Sequence, residues 1–155
     1  SIASSSACLG FEVKYITTNG TFSPERLITL SRHALKDLAH ADMDASLAQL
    51  LTHVHVMHVH DTMSLVSTLQ ELEKECELAT KQGRGVPKVV IVDSAAGLMS
   101  CDVGAAAHFG KFLINYLSSA LRRLCTRFQI ALVMTNRQVK YSGVSDVQAA
   151  LGETW

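Results

Sequence analysis

The sequence predicts an α/β fold, three layers deep, with helices on both faces of a mostly parallel central sheet, and three observations predict it. Val89, Val90, Ile91 and Val92 form an unbroken β-branched run that ends on one carboxylate, Asp93. A run so short and so apolar reads as a strand covered on both faces, the mark of a parallel sheet. Strand-like and helix-like patterns alternate along the chain, as in a doubly wound core. The segments between the strands are long enough for the crossovers that parallel pairing requires. With 155 residues, 48% hydrophobic and 18% charged, the chain can bury one sizeable core and reads as a single domain over residues 1–155.

Taken in order, Glu12 to Ile16 is a short strand followed by the polar turn Thr17-Thr18-Asn19-Gly20-Thr21. Ser23 is a good N-cap and Pro24 suits the first helical position, with Leu27, Leu30, Ala34 and Leu38 at helical spacing. Asp42 to Asp44 is expected to break that helix, with one further turn over Leu47 to Leu51. His53, His55, His58 and His60 fall within eight residues and invite a metal reading. In a strand the first two point to one face and the last two to the other, so the four cannot close one tetrahedral site. They are expected at strand ends and edges instead.

Asp61 can cap a helix whose apolar positions are Leu65, Leu69, Leu72 and Cys76, with Glu71, Glu73, Glu75 and Glu77 mostly on its wet side. Lys81 to Pro87, with Gly83 and Gly85, reads as a flexible turn into the Val89 strand. A small-residue loop, Ala95 to Ala107, leads to a long helix expected to turn Phe109, Phe112, Leu113, Tyr116, Leu117, Ala120, Leu121 and Leu124 inward. Arg122, Arg123 and Arg127 lie near its C-terminus, where the helix dipole favours cations. Ile130 to Met134 reads as a second buried strand ending in Thr135-Asn136-Arg137-Gln138, and Val139 to Ala150 as a mobile loop.

Composition narrows function only partly. No apolar run approaches the ~18 to 20 residues of a membrane span, and Ser1 to Gly10 has no basic stretch ahead of an apolar one, so neither a membrane segment nor a signal peptide is expected. Cys8, Cys76, Cys101 and Cys125 are dispersed without a Cys-x-x-Cys pair, which fits reduced thiols in an intracellular protein better than a disulfide frame or zinc site. Net charge is zero but uneven. Residues 1–80 carry five Lys/Arg against ten Asp/Glu, net −5, and residues 81–155 carry nine against four, net +5. A basic C-terminal half is compatible with nucleic acid without being diagnostic of it.

Asp93 is the residue to which chemistry attaches. Ligand crevices in open parallel sheets lie beyond the carboxyl ends of the strands, where one acid suits holding Mg²⁺ and a nucleotide phosphate. The plainer reading is an Asp that caps the following turn.

Four ordered stretches carry a resemblance. Tyr15-Ile16-Thr17-Thr18-Asn19-Gly20-Thr21-Phe22-Ser23-Pro24-Glu25-Arg26-Leu27 resembles the Tyr-Ile-Asp-Thr-Glu-Gly-Thr-Phe-x-Pro-Glu-Arg-Leu signature of eukaryotic RecA-type recombinases. Val89 to Ser94 resembles their Walker-B strand, Val133 to Asn136 their next core strand, and Ala150 to Trp155 the Ala-Leu-Gly-x-Thr-Trp of their paralogues. The resemblance is to the D-type paralogue in particular, which shares Asn-Gly after the first strand and a His before an amphipathic Leu-Gln-Glu-Leu helix, here His58 and Leu69 to Leu72.

The resemblance implies a partial RecA-like P-loop NTPase core, truncated at both ends: Ser1 to Leu9 resembles the tail of the helix after the phosphate loop, and Trp155 precedes the family's last core strands. It implies ATP and Mg²⁺ as cofactors, with Asp93 and Ser94 at the metal. Two departures weaken ATP binding and leave enzymatic activity open. The family's hydrolytic glutamate falls on Asn19, whose amide cannot act as a base. No Gly-x-x-x-x-Gly-Lys-Ser/Thr occurs, and Gly104 to Lys111 is a decoy, with five residues between its glycines and Phe112 in the Ser/Thr place.

The family's γ-phosphate sensor falls on Arg137, with Gln138 one further on. Its two DNA loops correspond to about Ser100 to His108 and Arg137 to Ala149. Arg137 and Lys140 are their only cations, with Tyr141 as a stacking surface, so either weak, salt-sensitive DNA binding or ordinary solvated loops is implied. The resemblance further implies an accessory nuclear protein of homologous recombination and double-strand-break repair, working with single-stranded DNA, other recombinase paralogues and the recombinase filament, and with no membrane. An ATPase active in a longer parent chain and a non-enzymatic scaffold are the alternatives.

Overall fold

The computed structural model describes residues 10–35, 40–96, 98, 107–136, 138–139 and 148–149. Its elements run β1 (Val13–Thr17), α1 (Pro24–Ala34), α2 (His40–Thr52), β2 (Val54–His58), α3 (Thr62–Lys81), β3 (Val89–Asp93), α4 (Ala107–Phe128), β4 (Ala131–Met134), β5 (Gln138–Val139) and β6 (Gln148–Ala149). The first four strands make one sheet in the order β2-β1-β3-β4, every pair parallel. In this register Thr17 lies opposite Asp93, and Val92 opposite Met134.

Pleating splits the strands between two cores, as a three-layer fold requires. Ile16, Val90 and Val92 face α3 and α4, packing with Leu65, Leu69, Leu72, Leu117, Leu121 and Leu124. Val13, Val89 and Ile91 face the other way, packing with Leu27 of α1 and Leu50 of α2. The α/β sandwich read from the alternating pattern is therefore what forms.

The caps act as expected. Ser23 Oγ accepts from the Arg26 amide at 3.1 Å with Pro24 at the first helical position, and Asp61 Oδ1 accepts from the Ser64 amide at 2.7 Å. The Ser64 hydroxyl and amide hold the Asp61 carboxyl below its ordinary range. Across the α3–α4 seam, Arg123 donates through Nε and Nη2 to the two carboxylate oxygens of Glu73, each at 3.2 Å, and Arg127 pairs with Glu77. Arginines near the end of α4 thus answer acids of α3, a relation that a single-helix view of the dipole does not give.

Several expectations change. Asp42 to Asp44 do not break a helix, because α2 runs through them as a helix of 13 residues; burial of Leu47 and Leu50 in its later turns outweighs the weak propensity of Asp. Leu38 falls outside the described residues. Phe112 is 62% exposed, so it does not pack inward; it stacks on Tyr116 at a centroid distance of 6.4 Å. β4 is only partly buried because it is the outermost strand among the described residues. Val139 lies in β5, which pairs antiparallel with β6, so Val139, Gln148 and Ala149 of the expected loop are strand. The histidines sit on or beside β2, the strand at the other end of the sheet order, with His55, His58 and His60 exposed. Among the described residues no group of three or more His, Cys, Asp or Glu is arranged to hold a metal, and no helix is long and apolar enough to cross a membrane.

Candidate functional site

The carboxyl ends of β1, β3 and β4 meet at Asp93. A buried four-residue run carries the chain to this point, and Asp93 emerges half-buried where the sheet gives way to the crevice. Two hydroxyls hold its carboxylate. Tyr15 donates to Oδ2 at 2.6 Å from β1, and Thr135 donates to Oδ1 at 2.7 Å from the end of β4. The phenol is pushed well above its usual value, first by burial and then by the hydrogen bond to the Asp93 carboxylate. The Tyr15 ring leans on Phe22 at 4.8 Å, so the donor is fixed from behind.

The backbone after Asp93 is tied to β1 as firmly as its side chain is. The Thr18 amide donates to the Asp93 carbonyl at 2.8 Å, the Thr18 hydroxyl donates to the Ser94 carbonyl at 2.8 Å, and the Ser94 amide donates to the Thr18 hydroxyl oxygen at 3.0 Å. Ala95, Ala96 and Leu98 follow as buried helical residues. Asp93 and Ser94 are thus brought together at one rigid corner. The Asp93 side chain is directed to Tyr15 and Thr135 on the neighbouring strands rather than to the turn that comes after it, which removes the plain capping reading.

Asn19 is turned elsewhere. Its Oδ1 accepts from the Thr21 amide at 3.1 Å and from the Thr21 hydroxyl at 2.7 Å, closing a turn in which Gly20 takes φ +67°. This is an Asx turn, the local bond that Asn forms readily. The exposed carboxamide is spent on its own loop, so it neither reaches Asp93 nor offers a base.

Between the end of β1 and α1 lies a cavity of about 380 Å³, bounded by Tyr15, Phe22, Arg26, Leu27, Leu30 and Asp93. Each carboxylate oxygen of Asp93 accepts one hydroxyl and keeps a further lone pair on the cavity's edge, among the described residues a single acidic ligand rather than a complete cation site. The 155 residues contain no glycine-rich lysine loop of the kind that cradles a nucleotide's phosphates. Gln138 lies in β5, while Arg137, Lys140 and Tyr141 fall outside the described residues.

Sequence reasoning missed Tyr15, Thr18 and Thr135 as partners of the corner. The register explains the first: with Thr17 level with Asp93, Tyr15 stands two residues back, where alternation returns a side chain to the same face of the sheet, and that register is not written in the residues themselves.

The fold and this corner define the class first: a parallel, doubly wound α/β core that presents one hydroxyl-held carboxylate at the carboxyl ends of its strands. The Rad51 family matches residues 5–152, and the chain belongs to it, with the RecA-like core that this membership carries. Similar proteins include "DNA repair protein RAD51 homolog 4" of Bos taurus, 25% identical over 143 residues, and its namesake in Mus musculus, 26% identical over 143 residues. A "Probable DNA repair protein RAD51 homolog 4" of Dictyostelium discoideum is 24% identical over 171 residues. The first two alignments cover 92% of this chain and 42% of each relative, the third 91% and 47%, so the chain spans less than half the length of these relatives. Their names agree with the D-type resemblance carried by the residues.

Proposed function

We propose that the chain is part of the core of an accessory protein of homologous recombination and double-strand-break repair, acting in the nucleus with single-stranded DNA and other recombinase paralogues, and that its ATP site is degenerate. The observation that carries the reading is the division of labour at the crevice. Asp93 is held ready by Tyr15 and Thr135, whereas Asn19, where the family places its base, is bonded into its own turn. Membership in the Rad51 family and similarity to proteins named for DNA repair support the cellular role. In this reading Asp93 is the side chain that would face the Mg²⁺ of a bound nucleotide and does not hold the metal alone, and Thr18 holds the backbone beyond it. A bound ATP would supply its phosphates and metal to this crevice; Asp93, fixed by Tyr15 and Thr135, would orient the metal, and Asn19 would not activate water.

A calorimetric titration with Mg²⁺ and a non-hydrolysable ATP analogue, with Asp93→Ala as control, tests the site. The expected result is no saturable heat at micromolar ligand. Saturable binding that Asp93→Ala weakens would return nucleotide to the centre of the mechanism. The intact Asp93 corner favours one second reading, a DNA-dependent ATPase in a longer chain that supplies the phosphate loop; in that case a longer chain hydrolyses ATP and Asp93→Ala abolishes it.

A further inference from the structure

Asp93 marks the carboxyl end of the sheet, where the two loops expected to touch DNA offer only Arg137 and Lys140 as cations. The amino end of the sheet carries more. Lys81 is the last residue of α3, Arg84 lies in the connection beyond it, and Lys88 immediately precedes β3; all three side chains are exposed. Among the described residues none of the three pairs with a carboxylate. Arg84 Nε donates to the neutral amide of Gln82 at 2.8 Å and keeps its charge uncompensated.

The acids that could answer them are engaged elsewhere. Glu73 and Glu77 pair with Arg123 and Arg127, and Glu12 pairs with Lys14 at 2.9 Å and lies 3.4 Å from His55. The helix dipole accounts for a cation at Lys81, in the last turn of α3, but its effect fades beyond that turn and does not reach Arg84 or Lys88. The backbone gathers the group. The Arg84 amide folds back to the Ala79 carbonyl at 2.8 Å, and the Lys88 amide donates to the Glu12 carbonyl at 3.0 Å. That second bond sets Lys88 opposite Glu12, one residue along from Phe11, an aromatic residue left 43% exposed just ahead of β1.

Uncompensated cations beside an exposed aromatic ring are the two components of a surface for single-stranded nucleic acid: charge for the phosphates, a π face for a base. We infer that Lys81, Arg84, Lys88 and Phe11 form a second polynucleotide-binding surface at the amino end of the sheet, opposite the Asp93 crevice. This inference rests on the DNA-linked function proposed above and adds the place where the strand is held. An acidic protein segment would satisfy the cations but would gain little from Phe11, which is why a polynucleotide is the fitting occupant.

The test is fluorescence anisotropy of a labelled oligothymidylate with the 155-residue chain between about 50 and 200 mM salt, the window in which phosphate contacts are read most sharply. Three variants are compared: Lys81→Gln/Arg84→Gln/Lys88→Gln, Phe11→Ala, and Arg137→Gln/Lys140→Gln, with circular dichroism to verify the fold. The charge variant should bind about tenfold more weakly at low salt, and the slope of log K on log salt should fall by about 2, three phosphates at about 0.7 each. Phe11→Ala should weaken binding with the slope unchanged, a response that diffuse electrostatic attraction does not give. If only the Arg137/Lys140 variant loses binding, this surface is wrong while the DNA-linked function stands. No binding by the unaltered chain overturns both the surface and the single-stranded-DNA part of that function. Polyglutamate competing as well as the oligonucleotide would assign the surface to acidic protein and overturn the inference.

Discussion

The two faces of the sheet are unequal. On the α3/α4 face a continuous core joins 18 buried residues, whereas on the α1/α2 face the corresponding cluster among the described residues has five. The first face also carries the ion-paired seam of Glu73, Glu77, Arg123 and Arg127, and the second carries the cavity beside Asp93. Apolar burial scales with area removed from water, so among the described residues the α3/α4 side contributes the larger share of it. The α1/α2 side is where the crevice opens and where Tyr15 and Phe22 meet. The larger apolar core and the site are thus on opposite sides of the same four strands.

The largest effect that tests this contrast is a pair of truncations. Leu117→Ala removes a side chain with no exposed surface from the α3/α4 core, and Leu27→Ala removes one from the smaller core. Costs of about 2 to 5 kcal/mol are usual for such changes, with Leu117 expected at the upper end and Leu27 at the lower. Urea unfolding midpoints decide it. Equal losses would mean the two faces are one cooperative core and the contrast is false.

A second effect sharpens the contrast through pH. Cys76 is fully buried on the α3/α4 side, and burial pushes its thiol up to about 11. Lys14, on the same face, would be lowered by its burial, but hydrogen bonds and charges from Glu12 and Glu75 outweigh this and raise it. For a group raised on folding, stability is full below the unfolded-state pKa and is lost as pH rises through the folded one. For Cys76 that window opens near ~8.5 and runs to about 11. Stability should therefore decline on the alkaline side, and Cys76→Ala should flatten the decline between those limits. A flat profile in the unaltered chain would break the argument.

Much of this fold is legible in the residues because local and global signals agree. Val89 to Asp93, the Ser23-Pro24 start and the Asp61 cap each read alone as they behave in the structure. Local reading fails where tertiary context decides: α2 continues through Asp42 to Asp44 because its later turns are buried, and Phe112 faces outward although its spacing is helical. At the site, Asp93 is legible as the end of an apolar run. The partners Tyr15 and Thr135 are not, because their meeting depends on strand order and register, separated as they are from Asp93 by 78 and 42 residues. Asn19 is legible as an amide without basicity; its bond to Thr21 emerges only from the folded turn.

The helix starts give a smaller comparison. Asp61→Ala, which removes two bonds to Ser64 at the head of α3, should lower the melting temperature more than Ser23→Ala, which removes one bond to the Arg26 amide at the head of α1. Thermal melts of the two variants measure both. A larger loss at Ser23 would place more stability on the α1/α2 side than its core suggests.

The smallest effect concerns the seam itself. Arg123 and Glu73 form a two-pronged pair, and the guanidinium is raised above its ordinary value first by the hydrogen bonds to Glu73. Arg123 is nonetheless about half exposed, so solvent screens the charge and long side chains lose rotamer freedom to hold the geometry. A double-mutant cycle with Arg123→Gln and Glu73→Gln should return a coupling of about 0.2 to 1 kcal/mol that fades between low and high salt. If the coupling is larger and insensitive to salt, the pair is effectively buried and the seam, rather than the apolar core beneath it, would be what sets the α3/α4 face apart. The leucines between the helices make the weak, screened value the expected one, because they already fix the spacing that brings the two charges together.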